Sequence, residues 1–222
     1  MLGAPALNLP LRFSSVFYLG NQVVTDNDGN GRFRIHETNV FFRQTEFRAV
    51  SLFVAGLRGE SRLCSGNCYR IDGQVAGASG GGTPILFEMA RGTIVLDPES
   101  ANPVSLTNKV LTEGVGQVVE WFGRPVVGGI GREEERRVVE FYVTYVLDAA
   151  VTCTLSMDTL DVNNILQLRG NVFGFDVARN RWEVKVAEVR LVSKRERPRR
   201  SRRQRGLEAH RGWRSRRSRV RI

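Results

Sequence analysis

Long helical periodicity is missing from almost the whole chain, and this restricts the fold more than any motif does. An amphipathic helix needs apolar residues returning every three or four positions. The first 193 residues instead offer short runs of β-branched and aromatic residues between Gly, Pro, Asn and Asp. Residues 138–147, VVEFYVTYVL, are one such run, a mix that favours strands. Residues 162–177 and 181–192 read as a long hairpin turning at Ala178, Arg179 and Asn180. Trp182, Val184 and Val186 alternate on one face of its return strand. The phase then slips to Val189 and Leu191, so a bulge is expected near Ala187 and Glu188. Further strands are expected over residues 12–19, 38–43, 47–55, 67–72, 84–90, 92–97, 115–122 and 150–156, with a short helix allowed over 155–166. The expectation is an all-β fold, an antiparallel barrel or sandwich of about 8–10 strands.

Two segments interrupt this pattern. Residues 77–82, GASGGG, have too little side chain to pack and read as a mobile loop. No Gly-Lys-Ser/Thr follows them, so they are not a phosphate-binding P-loop. Residues 97–108, DPESANPVSLTN, read as a second loop. No run approaches the length of a transmembrane helix. Residues 1–11 lack the basic and apolar regions of a secretory signal, so an intracellular setting is expected. Cys64, Cys68 and Cys153 are too few for a disulfide scaffold. Three thiols are expected, although Cys64 and Cys68 could pair.

Charge divides the chain in two. The 29 residues from Lys194 to Ile222 carry 14 cations, 13 of them Arg, and two acids, Glu196 and Glu208. The preceding 193 residues hold 19 basic and 21 acidic side chains. The chain therefore reads as a β-rich globular domain, residues 1–193, with a disordered basic tail, residues 194–222. The tail has only Leu207, Trp213, Val220 and Ile222 as sizeable apolar residues, so it is expected to be dispensable for folding. Arginine suits repeated phosphate contact. Arg195, Arg197, Arg199, Arg200, Arg202, Arg203, Arg205, Arg211, Arg214, Arg216, Arg217 and Arg219 are the candidate nucleic-acid-binding residues, with Trp213 as a base-stacking platform. The segment from Arg199 to Arg203 would also serve as a nuclear-localisation patch.

Other chemistry is thin. Asp26, Asp28, Asn30, Arg32 (by its carbonyl) and Glu37 match a calcium-loop pattern, with Gly31 at its turn. A hairpin tip uses the same residue types. Only His36 and His210 are available for acid–base work, and His36 lies in a strand-like run, where a structural role is expected. Cys64 and Cys68 lack the further ligands a zinc site needs. No catalytic residue is assigned, and no cofactor other than calcium is considered.

The stretch Gly123-Arg124-Pro125-Val126-Val127-Gly128-Gly129-Ile130-Gly131 resembles the signature of dirigent proteins. Upstream, residues 65–69 (SGNCY) and 90–94 (ARGTI) are similar to strands of allene oxide cyclase-like barrels. The resemblance covers roughly residues 52–147. It implies an eight-stranded antiparallel barrel around an apolar cavity; a cavity lined by aromatic residues such as Phe87, Trp121 and Tyr142 would support such a ligand-holding barrel. Two readings follow. In the first, a non-catalytic β-domain is anchored by its Arg-rich tail to nucleic acid or an assembly containing it, with protein partners there. In the second, a dirigent-like barrel binds a small apolar ligand or guides its conversion. A filled interior favours the first and a hollow one the second.

Overall fold

A computed structural model describes residues 11–23, 32–76, 82–122, 142–156, 158–194 and 218–221; for 100–101, 120–122 and 218–221 it describes backbone alone. The strands are β1 (Leu11–Tyr18), β2 (Gln22–Val23), β3 (Phe33–Arg43), β4 (Phe47–Leu57), β5 (Cys68–Ala76), β6 (Ile85–Glu88), β7 (Ile94–Leu96), β8 (Leu111–Gln117), β9 (Glu120–Phe122), β10 (Val143–Leu147), β11 (Ile165–Asp176), β12 (Arg181–Ser193) and β13 (Ser218–Arg221). They form one sheet in the order β2-β3-β4-β6-β5-β1-β8-β11-β12-β10-β13-β9, with β7 on β5. The fold is all-β, as expected. The sheet is not a closed barrel: its path runs from β2 to β9 without rejoining. It is mixed, because β4 with β6 and β10 with β12 pair in parallel.

The long hairpin forms where the alternation placed it. Val177–Arg179 make a 3-10 turn capped by the Asp176 side chain, and Asn180 takes the left-handed conformation at φ 50°. Register shifts between Arg169 and Gly170, so that Glu188 and then Val186 are matched and Ala187 is the extra residue. That is the expected bulge. Gly170 sits at the shift, and a Cβ there would collide with the Lys185 carbonyl oxygen.

The expected strand over residues 150–156 is instead a helical turn, α2 (Ala149–Thr152). Asp148 overrides the β-branched residues there: its carboxylate accepts from the Val151 N–H at 3.0 Å, as an N-cap does. Residues 97–108 also carry helical turns, Pro98–Ala101 and α1 (Pro103–Leu106), capped by Asp97 and Asn102 with proline in the first turn. No helix among the described residues is long and apolar enough to cross a membrane.

The curled sheet buries one face. Leu11, Phe13 and Phe17 of β1 meet Val40 and Phe42 of β3, Leu166 and Leu168 of β11, and Trp182 and Val184 of β12 in one core. Trp182 has no exposed surface and lies edge-on to Phe13 and Phe175, with centroids 5.3 and 4.7 Å away. Among the described residues the inward side chains form one apolar cluster. All three cysteines are free thiols.

Asn108 plugs one edge of the sheet. Its amide oxygen accepts from Arg43 N–H at 3.0 Å, its amide nitrogen donates to the Arg43 carbonyl at 3.2 Å, and its own N–H donates to the Phe41 carbonyl. It imitates a strand where an open edge would invite pairing. At the boundary with the basic segment, Lys194 bonds Asp158 and, with the Ser156 hydroxyl, holds that carboxyl down at about 2. The segment itself re-enters the sheet: Ser218–Arg221 pair with both β10 and β9, where no structure was expected.

Candidate nucleic-acid interface

The hairpin β3–β4 is built so that its two faces differ. Even-numbered residues His36, Thr38, Val40 and Phe42 of β3 point inward, with Leu52 and Val54 of β4. Odd-numbered residues point outward, and four of them are phenylalanines: Phe33, Phe41, Phe47 and Phe53. Strand β6 continues the outer face, because Ile85 is matched to Phe53 and Phe87 to Ala55. The outer face of β3, β4 and β6 thus carries five phenylalanines and Ile35 and Ile85, none of them fully buried.

The rings are arranged in groups. Phe41 and Phe47 stack at the hairpin tip, centroids 5.8 Å apart and planes 18° from parallel. Phe47 keeps 43% of its surface exposed. Phe33 and Phe87 meet edge to face at 5.5 Å at the other end. Eight residues separate Phe33 from Phe41, so the stripe runs roughly 26 Å along β3. Arg43 flanks the tip, matched to Phe47 in register. Arg32 lies over the Phe33 ring at 5.9 Å. The Arg32 carbonyl accepts from Arg58 N–H at 2.9 Å, which brings a second arginine to that end. Among the described residues none of these three arginines has an ion-pair partner.

The outer face of the remaining strands is different. Arg12, Glu113, Arg169 and Glu188 are matched in one cross-strand row, and Arg169 pairs with Glu188 at 3.7 Å. Gln167 donates to Glu113 at 2.6 Å. Within that row cations and carboxylates alternate. On β3, β4 and β6 aromatic faces lie beside arginines that have no ion-pair partner among the described residues. Base stacking on aromatic rings, with cations for the backbone, is how unpaired nucleic acid is held without sequence preference.

The candidates named from sequence are dispersed. Arg195 to Arg217 and Trp213 lie outside the described residues, and Arg219 lies in β13. Asp26, Asp28 and Asn30 also lie outside them. Of the remaining calcium candidates, the Arg32 carbonyl is engaged by Arg58, and Glu37 sits exposed in mid-strand, its backbone bonded to Gly20 and Asn21. No group of three or more His, Cys, Asp or Glu side chains among the described residues could hold a metal. Phe87 faces outward rather than into a cavity, and Tyr142 lies under the Arg181 guanidinium at 4.7 Å. Residues 123–131 and the side chain of Trp121 lie outside the description.

His36 is buried, its Nδ1 3.3 Å from the Ser65 hydroxyl and its Nε2 without a hydrogen-bond partner. Burial lowers its pKa, and the Arg34 charge lowers it further. It is a neutral core histidine, the structural role expected from sequence.

No family model and no curated protein matches the sequence. Among solved structures, the chain is similar to the wild-type single-stranded DNA-binding protein of Thermus aquaticus, at 10% identity and a TM-score of 0.43 over 88% of this chain and 97% of that one. A deletion variant of that protein matches at 10% identity and 0.42, over 87% and 98%. At these values the likeness carries nothing about function.

Proposed function

We propose that the chain binds single-stranded nucleic acid, RNA or DNA, with little sequence preference. Bases stack on the outward phenylalanines of β3, β4 and β6. Phosphates are neutralised by Arg32, Arg43 and Arg58 and by the basic segment after Lys194. The observation that carries this reading is the stacked, partly exposed Phe41–Phe47 pair beside Arg43, which has no ion-pair partner among the described residues. No catalytic role is assigned.

Titration with labelled oligothymidine tests it. Phe47→Leu keeps apolar bulk but removes the π-face, and should weaken binding by about 1–3 kcal/mol for each base it stacks. Native affinity in Phe47→Leu and in Phe41→Leu, with unchanged melting temperatures, would remove the platform from the account.

A further inference from the structure

A cleft of about 540 Å³ opens at the end of β6, lined by Glu60, Arg62, Tyr69, Glu88, Arg91 and Thr93. That volume lies within the range of small-ligand sites. Two polar atoms of its lining residues, Glu88 Oε2 and Thr93 Oγ1, are buried without a hydrogen-bond partner among the described residues. An orphaned carboxylate oxygen calls for a donor.

Glu88 has room made for it. It points inward on β6, matched to Gly73. A Cβ at Gly56 would collide with the Ser61 side chain and lie 2.7 Å from Glu88 Oε2. The Tyr69 hydroxyl is already committed, accepting from Cys64 N–H at 3.0 Å and donating to the Arg62 carbonyl at 3.3 Å. Its ring is therefore a fixed wall. Arg62 and Arg91 are exposed, and neither is within ion-pair distance of a carboxylate among the described residues. Glu88 and Thr93 thus line the cleft, each with one buried, unpartnered oxygen, beside cations at exposed positions and an aromatic side chain.

We propose that this cleft holds one nucleotide whose base bears an exocyclic amino group. Glu88 accepts from the amino N–H, as carboxylates do from cytosine N4, and the Thr93 hydroxyl bonds the adjacent ring position. Arg62 and Arg91 hold the phosphate. The inference rests on the preceding reading, because Phe87 of the platform and Glu88 are consecutive: a strand lying across Phe87 can turn one base over the end of β6. An otherwise indifferent binder gains a preference at one position.

Calorimetric titration of the full chain with CMP and with UMP tests this. Both carry the same phosphate, so attraction to the basic segment cancels in their ratio. CMP should bind at least about fivefold more tightly than UMP. Glu88→Gln, whose amide can donate to uracil O4, should abolish or reverse that preference. Arg62→Ser combined with Arg91→Ser, both at the surface, should weaken both nucleotides by a similar factor. Equal affinity for CMP and UMP in the native chain would overturn the proposal, as would an unchanged preference in folded Glu88→Gln. Thymine has no amino group, so oligothymidine binding reports on the platform alone, and either reading can fail without the other.

Discussion

Two buried residues carry opposite lessons about what a side chain reveals of its surroundings. Trp182 declares itself: it begins an alternating strand, and its ring is enclosed by Phe13 and Phe175. Trp182→Ala should lower stability by about 3–5 kcal/mol in denaturant titration. Trp182→Phe should lower it by less, since it also deletes an indole N–H that is buried without a partner. His36 was readable only as a strand residue. Its environment comes from Ser65, Arg34 and Glu88, brought together by the fold. Because burial depresses its pKa, the folded chain keeps it neutral while the unfolded chain takes up a proton near 6.5. Stability from this group is therefore complete above that value and falls as the pH drops through it. Melting temperature should decline between pH 7.5 and 5.5, and His36→Leu should flatten the decline.

Elements built from neighbouring residues were legible, and elements joined across the chain were not. The β11–β12 hairpin follows from alternation, a slipped phase and an Asn at the turn, all within about thirty residues. Asn180 tolerates φ 50°, whereas a β-branched residue there is strained. Asn180→Val should cost about 1–2 kcal/mol, and Asn180→Gly should be close to neutral. The outward phenylalanines were within reach too: Phe41, Phe47 and Phe53 are all odd-numbered in a pair of expected strands that turn at residues 44–46. Parity across that turn puts them on one face, a signal that strand-by-strand reading passes over. The parallel match of β4 with β6 leaves no such trace, because β5 and the loop after it intervene in sequence. The Glu88 cleft was illegible for the same reason, since it needs β5, β6 and the segment after β4 together.

At the scale of the molecule, composition divides the chain into a near-neutral body and a cationic end, and residues 218–221 of that end pair into the sheet, where no strand was expected. Val220 is matched to Tyr145 on one side and Trp121 on the other. Deleting residues 195–222 should therefore lower the melting temperature by uncovering β9 and β10. Replacing Arg199, Arg200, Arg202 and Arg203 by Ser leaves β13 in place and should not. The same quadruple variant should flatten the salt dependence of oligonucleotide binding by about 0.7 in log–log slope for each cation that meets a phosphate. With Ser193 ending β12 and Ser218 starting β13, the basic segment has two anchored ends. A segment tethered at both ends samples a smaller volume than one tethered at a single end, which raises the effective concentration of any cations it carries. Severing one peptide bond in it would remove no charge and yet weaken the grip on a phosphate chain.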